Sequence, residues 1–225
     1  LYHTVVNLGS QSAQGKKTKS DIMGAIWNKF TTLNLQRADD GEVLKYYWTY
    51  MNNPAGGGTA GLLQTADSRC GNFARFFIDV LKAQGLITGA EIVAILPRLP
   101  YSLMLVKNWE IPVGGGVLWQ DQSPRPEGPD YTLSYAETDS AGKPLRHKLL
   151  PTSTARDLPG LPGQGNENPK SIFWDHAVVE LDGKWYDPSY GKLYDVPGGT
   201  AALLRQFDDE AIAGYVTDLD VLLGS

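Results

Sequence analysis

The sequence contains a single cysteine, Cys70, among its 225 residues. One cysteine excludes an internal disulfide. It is compatible with a reducing compartment and equally with an exported enzyme that needs a free thiol, so the compartment stays open. Long apolar runs are lacking as well, and because a membrane-spanning helix needs about 18 or more apolar residues in succession, the sequence predicts no such segment.

Positively charged residues are also fewer than negatively charged ones. The chain has 20 Lys and Arg residues against 25 Asp and Glu residues, which gives a net charge of −5 with neutral His. Nucleic acids and anionic membranes are bound by basic patches. The longest basic run, at 16–19, is typical of a solvated loop. We therefore expect neither a nucleic acid nor a membrane as a partner.

Residues that bind metals are few and scattered. His3, His147 and His176 lie far apart in the sequence and form no close pair with Cys70. Zinc sites usually combine closely spaced Cys and His ligands, and a calcium loop requires acidic residues at defined spacing. Neither pattern is present in the sequence, so we expect no metal site and no cofactor.

The patterns that are present predict a mixed chain of helices and strands. Apolar residues recur at helical spacing in two segments, and Asp182-Gly183 between alternating runs predicts a hairpin. Region 97–170 is rich in Pro and Gly, which predicts short strands in long loops, with 154–170 as its loosest part. The predicted elements are a strand at 2–8, a helix at 20–33, a strand or helix at 43–51, a connector at 52–61, a helix from 70 to 85, a strand at 90–96, a hairpin at 171–191 and a helix at 200–223.

Cys70 stands at the head of the helix that is predicted to end at Gly85. Asp67 or Ser68 can cap this helix, which would place Cys70 in the first turn, where free N–H groups and the helix dipole favour the thiolate. Arg69 adds positive charge nearby. A lone cysteine is otherwise most often a small buried apolar residue, so a functional interpretation requires a base and an orienting group as well.

The hairpin supplies both groups. A two-residue turn at 182–183 sets Val178 opposite Asp187, so His176 shares a sheet face with Asp187 as its diagonal neighbour. A carboxylate in that position can accept the second N–H of the imidazole and orient the ring. Asp195 is a weaker substitute for Asp187 in this role.

Two further side chains complete the predicted site. Gln64 lies six residues before Cys70 on what the sequence predicts to be a loop, which is the papain-like arrangement of an amide that stabilises an oxyanion together with a backbone N–H. An exposed polar loop residue is the alternative interpretation of Gln64. Trp174, two residues before His176, is the candidate wall of a substrate groove.

Together these segments resemble the transglutaminase-like superfamily. The superfamily pattern combines a cysteine helix, a His-Ala strand and an Asp-Pro pair at the end of the next strand. The resemblance covers roughly residues 60–96 and 171–191. The matching residues are Cys70, Ala74, Gly85, His176, Ala177, Trp185, Asp187 and Pro188.

The resemblance implies a papain-like α+β fold in which the nucleophile helix packs on an antiparallel β-sheet or half-barrel. It implies a Cys70–His176–Asp187 triad and acyl chemistry through a thioester. The domain organisation that follows is one catalytic domain over 1–225, with an N-terminal extension at 1–55 and a loop-rich insertion at 97–170.

The sequence departs from the superfamily after the cysteine. Gly71 stands where classical transglutaminases often have Trp, and Gln64 replaces their Trp oxyanion donor. This departure favours hydrolysis of a peptide or protein amide by a protease, amidase or deamidase over transglutaminase crosslinking. The alternative is a catalytically inactive module that binds a peptide or sugar through aromatic side chains. The sequence does not decide between hydrolysis and amine transfer. It also leaves the substrate and the oligomeric state open.

Overall fold

The structure, a computed structural model, describes residues 2–48, 57–86, 88–97, 103–107, 109–110, 132–135, 156–157 and 161–216. Most helices lie in the first part of the chain and most strands follow them, which makes the fold α+β, as predicted. The elements are α1 (His3–Ala13), α2 (Lys19–Thr31), β1 (Lys45–Tyr46), α3 (Gly58–Thr65), β2 (Asp67–Ser68), α4 (Cys70–Ala83), β3 (Glu91–Leu96), β4 (Leu103–Val106), β5 (Trp109–Glu110), β6 (Thr132–Tyr135), β7 (Arg156–Asp157), β8 (Ile172–Phe173), β9 (His176–Leu181), β10 (Lys184–Asp187), β11 (Lys192–Tyr194), α5 (Gly199–Ala211) and β12 (Ile212–Val216).

The chain divides into two compact units. The first unit comprises Leu1–Ile92, Pro162–Pro169 and Ala177–Leu193. The second comprises Val93–Leu161, Lys170–His176 and Tyr194–Ser225. Cys70 and Asp187 therefore belong to the first unit, whereas His176 belongs to the second.

The first unit begins with a helix where we predicted a strand. Val5, Gly9 and Ser12 are the buried side of α1, and their spacing of three to four residues is helical. Gly9 allows close packing, because a Cβ there would stand 2.9 Å from the side chain of Gln84 at the end of α4. Seven residues are too few to separate alternation from helical spacing, so the strand prediction for 2–8 was wrong.

The predicted helix at 20–33 is confirmed as α2, which spans Lys19–Thr31. Thr18 is the N-cap, and its hydroxyl accepts a 3.1 Å hydrogen bond from the backbone N–H of Asp21. Ile26 and Phe30 are fully buried. The chain leaves the helix through Leu33, whose φ of 55° is left-handed.

The segment before Cys70 is more regular than the predicted connector. Residues 58–65 form α3, which ends at Ala66 in a left-handed conformation with φ 55°. The two-residue strand β2 follows and pairs in parallel with β1, with Lys45 opposite Asp67 and Tyr46 opposite Ser68. Region 43–51, for which the sequence left strand and helix open, thus contains a strand at Lys45–Tyr46.

The Cys70 helix is confirmed as α4, and Gly85 lies just beyond its end with φ 67°. Its N-cap is Arg69, which makes no side-chain capping hydrogen bond, so the expected cap at Asp67 or Ser68 was wrong. Phe77 of α4 packs against Tyr186 of β10 with ring centroids 5.7 Å apart, which sets the helix on a strand of the hairpin. The buried stripe consists of Phe73, Phe76, Phe77, Val80 and Leu81.

The hairpin is confirmed in its predicted register. Strands β9 and β10 pair antiparallel, with Lys184 opposite Leu181 and Tyr186 opposite Val179. Asp182 and Gly183 form the turn with φ values of 52° and 72°, as a type I′ turn requires.

A strap, Pro162–Pro169, runs through the first unit where we predicted the loosest part of the chain. The side chain of Gln164 is fully buried, and its Nε2 donates to the carbonyl oxygens of Phe30 at 2.7 Å and Pro188 at 3.0 Å. Gly165 permits the close approach, since a Cβ there would lie 2.6 Å from the carbonyl oxygen of Leu44. The prediction of a loose segment was therefore wrong for residues 162–169; 154–155 and 158–160 lie outside the described residues.

The second unit is built mainly on short strands. Strand β4 pairs antiparallel with β8 and with β12, and β3 pairs in parallel with β6. Strands β5 and β7 form a further antiparallel pair. The helix predicted for 200–223 ends at Ala211, because the following residues pair with β4 from Ile212 onward, and 217–223 lie outside the described residues. Among the described residues, no helix combines the length and apolarity needed to cross a membrane.

Candidate active site

The start of α4 holds Cys70 as its first residue. The Cys70 side chain is buried, with 4% exposed, and Arg69 before it is in an extended conformation. Asn72 fastens this turn, since its Oδ1 accepts a 2.6 Å hydrogen bond from the N–H of Gly58 and its Nδ2 donates to Ser68 Oγ. The sulfur therefore lies at a fixed helix N-terminus, where backbone N–H groups favour an anion.

Asp187 ends β10 and is almost fully buried, with 1% exposed. Its Oδ1 accepts hydrogen bonds from the backbone N–H groups of Ser189 at 3.0 Å and Tyr190 at 3.3 Å. These bonds close the turn that follows the strand and hold the carboxylate in one orientation.

Two buried tyrosines, which the sequence analysis missed, link the thiol to the carboxylate. The rings of Tyr46 and Tyr190 meet edge to face, with centroids 5.1 Å apart. Burial raises the pKa of Tyr46 well above its ordinary value, with smaller contributions from Tyr190, Cys70, Tyr47 and Asp187. Burial also raises the pKa of Tyr190 well above its ordinary value, followed by the Asp187 charge, and the adjoining Tyr46 side chain opposes part of the rise.

The electrostatic neighbours of these tyrosines bring Cys70 and Asp187 into one neighbourhood. Both hydroxyl groups interact with Cys70 and with Asp187, all within the first unit. Tyr190 interacts more strongly with Asp187 than with Cys70, whereas for Tyr46 the order is reversed. The first unit thus contains a thiol, a carboxylate and two neutral hydroxyl donors together.

His176 is the first residue of β9 and lies in the second unit. Its side chain is 3% exposed. Phe207 of α5 stacks on the imidazole with centroids 5.8 Å apart and planes 19° apart, and Phe173 packs at 5.7 Å. The imidazole is thus packed against two aromatic rings, while its meeting with Cys70 and Asp187 stays a prediction.

Gln64 and Trp174 are both accessible to solvent. Gln64 lies near the end of α3 rather than on the predicted loop, and its side chain is exposed. Its backbone carbonyl accepts a 3.3 Å hydrogen bond from Arg37 Nη1. Trp174 is 48% exposed, two residues before His176. The roles of Gln64 at the oxyanion and of Trp174 in a groove stay predictions.

Sequence reasoning contained one signal that could have identified a tyrosine of the site. Tyr190 follows Asp187 by three residues, the distance at which a backbone N–H reaches back to a carboxylate in a turn. Tyr46 gave no such signal, because its placement depends on the two-residue pairing of β1 with β2. Within the described ranges, no group of three or more His, Cys, Asp or Glu side chains could hold a metal ion.

The chain was compared with protein-family models, curated proteins and solved structures, and none of the three comparisons gave a match.

Proposed function

We propose that the protein is a thiol-dependent amide hydrolase or acyltransferase that acts through a thioester on Cys70, on a papain-like variant of the α+β fold. His176 is the general base and acid, and Asp187 orients it. The observation that carries the proposal is the surroundings of Cys70: an inert buried cysteine would be expected among apolar side chains, whereas this one shares its neighbourhood with a buried carboxylate and two tyrosine hydroxyls.

The proposed reaction has two halves. His176 accepts the thiol proton, and the sulfur of Cys70 attacks the amide carbonyl carbon, whose π electrons move to oxygen. When the carbonyl reforms, the C–N bond breaks and His176 returns the proton to the leaving amine. Water or a second amine then attacks the thioester, again losing its proton to His176, and the thiol is regenerated.

Backbone geometry supports the assignment of His176 and Asp187. The register observed between Val179 and Tyr186 is the one from which we predicted their diagonal relation. The oxyanion would be stabilised by a backbone N–H at the start of α4 and by the amide of Gln64. Hydrolysis is the preferred outcome, because the superfamily features that accompany crosslinking are absent beside Cys70.

The test is the rate at which iodoacetamide alkylates Cys70, followed by mass spectrometry across pH. We expect fast alkylation near neutral pH in the unaltered protein. We expect His176→Asn to slow it by about 10²–10⁴-fold, the usual contribution of a general base. His3→Asn is the matched control, because His3 is an exposed histidine paired with Asp39 at 2.5 Å.

Equal alkylation rates in the unaltered protein and the His176→Asn variant would overturn the proposal. In that case a binding module is the better interpretation, and Trp48 and Trp174, which are 59% and 48% exposed, are its candidate contacts. If the triad is supported, incubation with glutamine peptides in the presence and absence of a primary amine separates hydrolysis from transfer.

A further inference from the structure

Tyr46 lies along the first turn of the nucleophile helix. Its register partner is Ser68, two residues before Cys70, and its ring packs edge-on against Phe73, one turn after Cys70, with centroids 6.0 Å apart. The side chain of Tyr46 is fully buried. The ring is thus held beside the turn from which the sulfur projects.

The strap fixes Tyr46 on its other side. The N–H of Tyr46 donates to the carbonyl of Gln164 at 2.7 Å, and Asn166 Nδ2 donates to the carbonyl of Tyr46 at 2.8 Å. A Cβ on Gly163 would come within 2.8 Å of Tyr46 Cδ1, so the strap also confines the ring. A phenol that is held at its backbone and at its ring has little freedom to turn its hydroxyl away.

Tyr190 completes the arrangement next to Asp187. Its ring lies against Tyr46, and its own N–H donates to the Asp187 carboxylate. Because both phenols keep their protons far above neutral pH, each remains a hydrogen-bond donor under all conditions in which a thiolate can form.

We propose that Tyr46 is a further catalytic residue of the proposed thiol enzyme, whose hydroxyl donates a hydrogen bond to the Cys70 sulfur and stabilises the thiolate. The inference rests on the proposed function and adds a donor to it. Tyr46 and Tyr190 each interact electrostatically with Cys70, and each also interacts with Asp187 and Tyr47. Asp187 opposes a second negative charge there, so the thiolate requires a compensating donor.

Tyr46→Phe tests this inference, because the substitution removes the hydroxyl and keeps the ring that packs against Phe73. The pH midpoint of Cys70 alkylation should rise by about one unit, with alkylation about tenfold slower below the midpoint, as expected for the loss of one hydrogen bond to a charged group. Tyr186→Phe is the control, since Tyr186 is also buried in the first unit and packs on Phe77 instead. Its midpoint should match that of the unaltered protein.

Two outcomes separate this inference from the proposed function. If alkylation depends on His176 but the Tyr46→Phe midpoint does not move, the role of Tyr46 is overturned and the triad stands. If Tyr46→Phe moves the midpoint while His176→Asn changes nothing, the donor role stands and the triad is overturned. Circular dichroism of Tyr46→Phe ensures that the comparison is made on folded protein. Gly163→Ala, whose Cβ would displace the Tyr46 ring while keeping the hydroxyl, should shift the midpoint in the same direction.

Discussion

Cys70 and His176 are the two residues between which the proposed proton transfer takes place, and they are held in opposite ways. In the first unit, Cys70 interacts electrostatically with the hydroxyl groups of Tyr46 and Tyr190, and a strap of the chain holds the backbone of Tyr46. In the second unit, His176 is packed between the aromatic rings of Phe173 and Phe207. The thiol thus has polar neighbours, whereas aromatic rings pack against the imidazole.

This difference separates what a substitution near each residue should do. We expect the loss of a polar neighbour of Cys70 to change the reactivity of the thiol more than it changes the packing of the first unit. Loss of an aromatic neighbour of His176 removes packing, and the imidazole loses its orientation only as a consequence. Experiments that measure stability and chemistry separately can therefore break or sharpen the comparison.

The largest effect is expected at Phe207, which is 3% exposed and stacks on the imidazole. Phe207→Ala leaves a cavity beside His176 and should lower the free energy of unfolding by about 3–5 kcal/mol, measured in urea. The ring protons of His176 should also show altered shifts by NMR, because the stacked face is lost.

Phe76→Ala is the matched control for that substitution. Phe76 is fully buried on α4 in the first unit and should cost a similar amount of stability. The His176 ring signals should stay unchanged in this variant. If both variants alter those signals equally, the imidazole is not held by local aromatic packing, and the comparison between the two residues fails.

The next largest loss of stability is expected from a substitution in the strap, Pro162–Pro169. Gly165 has φ 56°, and a Cβ there would stand 2.6 Å from the carbonyl oxygen of Leu44. Gly165→Ala should therefore lower the free energy of unfolding by about 2–4 kcal/mol, the combined cost of a left-handed alanine and a backbone clash. It should also raise the pH midpoint of Cys70 alkylation, because Gln164 and Asn166 of the strap hold Tyr46 by hydrogen bonds.

Gly41→Ala separates the cost of a left-handed alanine from the cost of the backbone clash. Gly41 has φ 75° with open space around its Cβ position, so this variant should lose only about 1 kcal/mol. Its alkylation midpoint should not move. A similar loss in both variants would mean that the strap does not pack tightly against β1.

The strap also shows where sequence reasoning stopped. Helix α4 and the hairpin were predictable because their signals are local: an apolar stripe after Cys70, and Asp182-Gly183 between alternating runs. The strap joins Gln164 to Phe30 across 134 residues, and no local pattern encodes such a contact. Its Pro and Gly content predicted looseness, whereas the glycines serve close packing.

The residues of the proposed site likewise divide into those that a local sequence pattern could identify and those that it could not. Cys70 and Asp187 could be proposed from a helix start and from hairpin register, and both are buried in the first unit. Tyr46 could not, since its place depends on a two-residue strand pairing and on the strap. Helix α1 is a further case in which a local pattern misled: residues 2–8 alternate enough to suggest a strand, whereas they lie in a helix whose Gly9 packs against the end of α4.

The smallest effect appears in alkaline solution and tests the polar surroundings of Cys70 directly. Burial raises the pKa of Tyr46 and of Tyr190 in the folded protein, so the unfolded chain releases these protons first as pH rises. Below about pH 10 both tyrosines are protonated in the folded and in the unfolded protein, so their ionisation does not lower the free energy of unfolding. Above about pH 10 the unfolded chain binds fewer protons than the folded protein. Each of the two tyrosines then lowers the free energy of unfolding by about 1.4 kcal/mol per pH unit, until the pH reaches the raised pKa of that tyrosine in the folded protein.

Tyr46→Phe should therefore make the alkaline loss of stability shallower by about 1.4 kcal/mol per pH unit above about pH 10, measured by urea unfolding. Tyr2→Phe is the control, because Tyr2 is 45% exposed and its removal should leave the slope as it is. Equal slopes in the two variants would mean that the Tyr46 phenol ionises as readily in the folded protein as in the unfolded chain. The contrast between a thiol beside neutral hydroxyl donors and an imidazole between aromatic rings would then no longer hold, because a readily ionised phenol beside Cys70 repels a thiolate instead of donating to it.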